Sequence, residues 1–526
     1  MVRRLFLLGT IAVLVINILL SFFIPNIWWD MLFFGPLILV GFMDMIQTKK
    51  AVLRNFPVIG NLRYLMEAIR PEINQYFVES NSSGMPFSRE ERSVVYQRAK
   101  GVRDTLPFGT QRDVYSVGYE WVNHSIVPCQ VKPEDLRVVV GGPDCKQLYN
   151  ASVLNISAMS FGSINKNAVL ALNQGARLGN FAHNTGEGGL SSYHVQGGGD
   201  IIWQIGTGYF GCRMKEGKFC AQQFAEKSQI PNVKMIEIKI SQGAKPGKGG
   251  ILPAAKVSAE IARIRGVAIG EDVISPPAHS AFKTPLEMCE FIARLRELSK
   301  GKPIGFKICI GRRSEFISIC KAMVQTGITP DFITIDGGEG GTGAAPLEFS
   351  NHLGSPLTEG LIFAHNCLVG FGLRSKIKVF ASGKVITGFG MIHHMALGAD
   401  IIYSARGMMF ALGCIQALKC DSNKCPTGIT TQDEGLMVGL VVEEKNKRVA
   451  SFHEQTVKSL SQMIGAMGLH HTSELRPWHI MRRVSNSRVK QYDEIYRFLK
   501  EGELLREPLP PSFERACKLA SAEKFN

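Results

Sequence analysis

Three cysteines, Cys414, Cys420 and Cys425, fall within a dozen residues and run into Pro426. Thiolates spaced this closely can converge on one metal centre, and the proline stops the chain from continuing as helix. A tetrahedral zinc site would want a fourth Cys or His nearby. None lies in the loop, and His453 is distant in sequence. Cubane iron–sulfur clusters normally take four thiolates. A three-thiolate loop suits a cluster lacking one iron corner, a [3Fe-4S] centre. The same spacing also fits three buried free cysteines, which pack as small hydrophobes, or one disulfide with a spare thiol.

Glycine supplies the second chemical signal, and it depends on the elements that carry it. From residue 152 short apolar runs alternate with longer helical patterns. The runs predict strands at 153–159, 181–184, 234–240, 272–274, 304–310, 332–335, 377–381 and 401–404. Helices are predicted between them, for example at 253–265, 285–298, 314–325 and 392–397, with Pro253 in a first turn and Gly266 past the last. This alternation predicts an α/β fold, a (β/α)8 TIM barrel. A doubly wound open sheet is the alternative, but no G-x-G-x-x-G follows the first strand.

Six glycine-bearing runs follow predicted strands: Ser160 to Ser163 around Gly162, Gly186 to Gly189 around Glu187 and Gly188, 242–250, 336–343 with Gly337, Gly338, Gly340 and Gly341, Ser382-Gly383-Lys384, and Arg406-Gly407. In a barrel the loops after strands form the active-site face, and those after strands seven and eight commonly hold phosphate. Backbone N–H groups of Ser382, Gly383 and Gly407, with Lys384 and Arg406, would bind a dianion there.

The net charge of +15 shows no basic stripe with interleaved aromatics, which argues against nucleic acid and for a solvated surface or one facing anionic lipid. Twelve cysteines in 526 residues are too few for a disulfide scaffold and fit a reducing compartment. Residues 5–24 carry no charge, Arg3 and Arg4 precede them, and Pro25-Asn26 break the run. Residues 31–43 form a second apolar run, interrupted by Pro36 and followed by Lys49, Lys50 and Arg54. Basic outer flanks predict one or two transmembrane helices, a hairpin with both ends in the cytoplasm. A cleaved signal peptide fits less well, because no small-x-small site follows.

The expected division is an anchor at 1–50, a helical linker at 51–150 with a Ser88–Glu91 capping box, a barrel with its Cys loop at 151–445, and a helical tail at 446–526. The tail should hold a long helix over 448–467 and a surface helix after Arg482. His279 is a candidate site residue; His393-His394 and His470-His471 read as structural or exposed, and no H-E-x-x-H is present.

Residues from about 150 to 440 resemble the FMN-binding synthase domain of the glutamate synthase family. The resemblance rests on Ala158-Met-Ser-Phe-Gly162, Asn184-Thr-Gly-Glu-Gly-Gly189, Lys239-Ile-Ser-Gln-Gly-Ala-Lys-Pro-Gly247, Ile274-Ser-Pro-Pro277, the run 337–344 and the cysteine loop ending at Gln432. It implies a barrel carrying FMN and a [3Fe-4S] cluster that reduces 2-iminoglutarate, formed from 2-oxoglutarate and ammonia, to glutamate. It further implies that Lys245 pairs with a substrate carboxylate and that Gln242 and Glu187 orient the substrate. Lys307 would sit near the flavin, where a cation stabilises the reduced anionic ring. Met159, Ser160, Gly162, Gly188, Gly337, Gly338, Gly340 and Gly341 would line the cofactor, and Cys414, Cys420 and Cys425 would hold the cluster.

The chain departs from the family in beginning with an apolar anchor where the large enzymes carry a glutaminase domain. It also lacks their glycine-repeat domain and any nicotinamide-binding domain. The expected partners are therefore membrane lipid, an external electron donor such as ferredoxin, and free ammonia. Lys248 and Ile251 stand where relatives often carry Glu and Gln, which bears on the choice of keto acid. The alternative function keeps both cofactors in a membrane-bound protein that passes electrons without amination, or that reduces another substrate.

Overall fold

Strands buried on both faces read as nearly unbroken apolar runs, because helices cover one side of the sheet and the barrel interior fills the other. The computed structural model of the chain describes residues 1–102 and 104–525. Its central element is a closed barrel of eight parallel strands: Leu154–Ile156, Ala182–Asn184, Asp200–Ile205, Val233–Lys239, Ile304–Ile308, Phe332–Asp336, Lys378–Ser382 and Ile401–Ser404. The eighth strand pairs with the first, Ile402 opposite Leu154, which closes the ring.

The expected strand at 272–274 is not part of the barrel. Val273–Ile274 pairs antiparallel with Ile251–Leu252, inside a long excursion between the fourth and fifth strands. The third barrel strand is instead Asp200–Ile205, directly after Gly197-Gly198-Gly199. In the excursion, Ser258 caps the helix Ala259–Arg265 by accepting from the Ile261 N–H, and Gly266 ends it at φ 64. Pro253 precedes a 3-10 turn, Ala254–Lys256, rather than opening that helix. Helix Pro285–Leu298 starts on a full capping box between Thr284 and Glu287.

An antiparallel ribbon, Arg137–Val140 with Tyr149–Ser152, closes the N-terminal end of the barrel. Its Val140 and Tyr149 join Phe332, Phe380 and Tyr403 in one buried cluster. Higher in the interior lies Glu237, fully buried, with hydrogen bonds from Asn184 Nδ2 (2.8 Å), Gln204 Nε2 (2.6 Å) and Thr334 Oγ1 (2.6 Å). The helix Val442–Ala466 packs on Lys166–Leu178, where Gly175 lets Val449 approach so closely that a Cβ would sit 2.6 Å from it. The stretch after Arg482, expected as a surface helix, is a β-hairpin: Ile480–Ser485 pairs with Arg488–Gln491 and, on its other edge, with Glu120–Val122. Asn486 and Ser487 make its turn, and the Glu120 partner strand is what fixes it extended.

Residues 1–89 form a compact unit of their own, and residues 90–526 form the other. In the first unit, helices α1 (Val2–Ser21) and α2 (Met31–Ile46) run antiparallel: the Phe6 and Phe42 rings lie 5.6 Å apart and Asn17 Nδ2 donates to Asp30 at 2.8 Å. Val2–Ser21 and Ile27–Ile46 are each 20 residues, long and apolar enough to cross a membrane. Two further helices follow, α3 (Ala51–Asn55) and α4 (Gly60–Ile73).

Candidate functional site

Lysines close two adjacent apolar strands at the same level of the barrel. Lys239 ends the fourth, Lys307 lies at the C-terminal end of the fifth, and the two are register neighbours. Asp336 ends the sixth strand and takes both Lys307 Nζ, at 3.6 Å, and the Gly243 N–H, at 2.8 Å. Lys239 Nζ reaches Glu187 Oε1 at 2.5 Å and Gln242 Oε1 at 2.6 Å. The loops after strands two and four thus meet through one ammonium.

Glu187 sits among cations. Burial pushes its carboxyl up, but Lys239, Lys245 and Arg265 outweigh burial and hold it below the usual carboxylate range. Lys245 is buried and donates to the Ala344 carbonyl at 2.9 Å. Burial, with the Lys239 charge behind it, lowers its ammonium to about 8. Arg265 donates to the Phe161 carbonyl at 2.8 Å and lies over the Phe210 ring at 5.1 Å. Three cations around one carboxylate leave an excess of positive charge. Lys248, by contrast, is exposed, its ammonium 5.6 Å from the Phe349 ring.

The glycines set how closely these loops pack. A Cβ on Gly243 would lie 1.7 Å from the Gly337 carbonyl oxygen. Gly186, at φ 66, approaches the backbone of Met159 and Ser160, and a Cβ on Gly188 would meet Phe161 O at 2.8 Å. The first, second, fourth and sixth loops therefore form one contiguous wall. Gly162 lies within it, its carbonyl accepting from Gln432 Nε2 at 3.1 Å. Gly338 and Gly340 donate to Ser355 O and Gly337 O.

The seventh and eighth loops lie beside it. Ser382 O accepts from the Gly337 N–H at 2.8 Å, and Ser382 Oγ lies 3.2 Å from Ser157 Oγ. Arg406 donates to the Glu339 carbonyl at 2.7 Å, and Gly341 packs on its side chain. Gly407 packs against Ser404 in the helix that Arg406 opens. Lys384 follows Gly383 in a left-handed conformation, φ 51. Burial and then the Arg406 charge lower the Lys384 ammonium, and burial brings the Arg406 guanidinium down to about 10. Two cations that feel each other in a half-buried loop pair favour an anion beside them.

The cysteine loop, between helix Arg406–Leu412 and the segment after Pro426, contains no regular element. Gln416, Leu418 and Asn423 all take positive φ, 58, 55 and 60, in a loop with no glycine from Cys414 to Cys425. Left-handed residues of this kind turn successive N–H groups towards a concave centre. The Gln416 N–H donates to Cys414 Sγ at 3.4 Å. Burial pushes the Cys414 thiol up to about 12 and raises Cys420 as well. Burial acts the same way on Cys425, but hydroxyls of Thr427 and Thr430 and nearby backbone N–H groups bring it down to about 7. The Cys414 thiol is raised by both other cysteines. Among the described residues no set of His, Cys, Asp or Glu is already gathered as a metal site.

Lys256 ties this loop to the barrel. Its ammonium donates to the carbonyls of Cys420 (2.6 Å), Thr430 (2.6 Å) and Ser163 (3.3 Å). Gly343 lies between, a Cβ there falling 3.1 Å from Ser163 Oγ and 4.0 Å from Cys420 O. The structure thus brings the cysteine loop against the first and sixth loops.

Sequence reasoning gave no role to Lys239, Arg265, Lys256 or Asp336. A charged residue closing an apolar-rich run, as in Ile236-Glu-Ile-Lys239 and Ile333-Thr-Ile-Asp336, is the available signal for two of them. His279 is buried and braces the fourth strand: its Nε2 donates to Lys239 O at 2.9 Å while Nδ1 takes the Tyr209 hydroxyl at 3.0 Å. Burial lowers it to about 4, so it stays neutral. His393 bonds Tyr492 and His394 bonds the Gly390 carbonyl, both away from this face.

The family described as the conserved region in glutamate synthase matches residues 136–470. The glutamate synthase large subunit-like protein YerD of Bacillus subtilis is 37% identical over 505 residues, 88% of this chain and 95% of its own. The archaeal glutamate synthase (NADPH) of Methanocaldococcus jannaschii is 32% identical over 359 residues, 68% of this chain and 66% of its own. Among solved structures, a flavocytochrome b2 double mutant with pyruvate bound aligns at 13% identity over 84% of this chain and 91% of that one, with a TM-score of 0.41, too slight a likeness to bear on the site.

Proposed function

The chain belongs to the glutamate synthase family of oxidoreductases, and on that premise we propose that it reduces the imine of 2-oxoglutarate and ammonia to L-glutamate, using FMN and a [3Fe-4S] cluster. The observation that carries this reading is the cation excess around Glu187 on the face where the barrel loops converge. Lys245 takes a substrate carboxylate, exchanging its bond to the Ala344 carbonyl for a charged partner. Glu187 and Gln242, fixed by Lys239, orient the carbonyl-derived carbon and its nitrogen.

The chain's residues fit both groups. Lys384, Arg406 and the Ser382-Gly383 backbone would hold the FMN phosphate, and the left-handed Lys384 is built for that turn. Met159, Ser160, Gly162, Gly188, Gly337, Gly338, Gly340 and Gly341 would line the ring, with Lys307 held beside it by Asp336. Cys414, Cys420 and Cys425 supply three thiols in a loop curled around its own N–H groups, and three is the number a [3Fe-4S] centre takes. When bound, the cluster would supply one-electron transfer and the flavin two-electron reduction, with these residues holding and orienting them.

Residues α1 and α2 would span the cytoplasmic membrane, with both basic flanks and the barrel on the cytoplasmic side. An external protein such as ferredoxin would supply electrons. The deciding experiment uses purified full-length chain with reduced ferredoxin, 2-oxoglutarate and ammonia. Glutamate formation, with a flavin absorption band and the EPR signal of an oxidised [3Fe-4S] centre, is expected. Both spectra without glutamate would move the reading to electron transfer or another keto acid. Colourless protein would end it.

A further inference from the structure

The N-terminal unit carries an apolar surface that its two membrane-length helices do not account for. Ile59, Leu62, Leu65, Met66, Ile69 and Ile73 are between 37% and 66% exposed. Their spacing of three and four residues puts them on one stripe along helix α4 and the residue before it. At 3.6 residues per turn, Arg63 and Arg70 fall along one edge of this stripe. Tyr76 and Phe77, just beyond the helix, are also exposed.

The helix is held in its direction. Asp44, in the last turn of α2, accepts from the Val58 N–H at 2.9 Å and from Asn61 Nδ2 at 2.7 Å. Val58 takes φ 66, a left-handed conformation that a β-branched residue rarely adopts. The carboxylate therefore holds a costly turn immediately before α4. Lys50 adds a second tie, its ammonium 4.3 Å from the centre of the Tyr64 ring. Between 47 and 78 there are five Lys or Arg and two Glu. An exposed apolar stripe with basic residues at its edge, fixed to the end of a membrane-length hairpin, matches a bilayer interface in both chemistry and position.

We propose that α4 is an interfacial helix, lying in the headgroup layer of an anionic bilayer with its Leu62–Leu65–Ile69 stripe towards the acyl chains. This deepens the membrane reading of α1 and α2 and rests on it.

The test uses the full-length chain in vesicles of equal parts phosphatidylcholine and phosphatidylglycerol, with the phosphatidylcholine brominated either high or low on its acyl chains. Tryptophan is placed by Leu65→Trp on α4 and, separately, by Ile11→Trp in the middle of α1; emission of the parent's five tryptophans is subtracted. Shallow bromines should remove about half of the Leu65→Trp emission and deep ones much less, while deep bromines should dominate for Ile11→Trp. Adding Leu62→Glu and Ile69→Glu should abolish the shallow quenching and leave the Ile11→Trp result unchanged. If Leu65→Trp escapes quenching while Ile11→Trp is quenched, the helix faces water or a second copy of the chain, and the proposal is overturned. If neither is quenched, the membrane reading itself fails, and the proposal with it.

Discussion

Two carboxylates are taken into the same barrel in opposite company. Glu237, deep in the interior, is surrounded by neutral donors: two amides and a hydroxyl. Glu187, at the rim, is surrounded by Lys239, Lys245 and Arg265. Neutral donors satisfy lone pairs without adding charge, so the first arrangement is complete in itself. Cations in excess of the carboxylate leave a net positive field at the rim, which the second arrangement does not cancel by itself. Burial alone does not set the field around a carboxylate; the sign balance of its neighbours does.

Breaking the interior arrangement should have the largest effect on folding. Glu237→Ala would strand three buried donors at about 1–3 kcal/mol each, before partial relaxation. A loss of about 3–6 kcal/mol in thermal or denaturant unfolding is expected, and a loss below about 1 kcal/mol would show that water replaces the carboxylate. Glu187→Gln keeps the shape but removes the counter-charge of buried Lys239. It should cost about 3 kcal/mol of stability near neutral pH, less than Glu237→Ala, by the usual cost of breaking a buried pair. Lys245→Ala should separate the two regions cleanly. Unfolding should stay close to wild type, while affinity for the keto acid falls about ten- to a hundred-fold, the worth of one charged hydrogen bond. Equal losses in melting temperature and affinity would make Lys245 structural.

The smallest effect is in pH. Because burial lowers the Lys245 ammonium to about 8, the free protein loses that charge as pH rises through about 8. KM for an acidic substrate should therefore rise above pH 8. A bound carboxylate favours the charged form, so the inflection in kcat should lie at higher pH. A KM flat across that range would remove the lysine from the pocket.

Much of the barrel was legible in the sequence, because seven of its strands fall within short apolar-rich runs that lead into glycine-bearing loops. The third strand was not. Only residues 185–199 join it to the second, and the five-residue helix Ser192–Gln196 leaves little periodicity to read. The excursion between strands four and five attracted a false barrel strand at 272–274, since a gap that long in a βαβ series invites one. The glycine loops were visible because they are local. The partners of Glu187 were not, because Lys239, Lys245 and Arg265 come from one strand end, one loop and one helix, which only the tertiary fold assembles. The same holds for Lys256, whose three carbonyl contacts lie at 163, 420 and 430.

The contact between Gly243 and Gly337 carries a consequence for remodelling the enzyme. A methyl group on Gly243 would overlap the opposing carbonyl at 1.7 Å, so position 243 has no room for a side chain while Gly337 stays where it is. Libraries that replace Gly243 while leaving 336–343 unchanged would return mostly collapsed or inactive clones, however benign each sequence is alone. A chimaera that transplants both segments together from one relative keeps the interlock and leaves the rest of the scaffold unchanged.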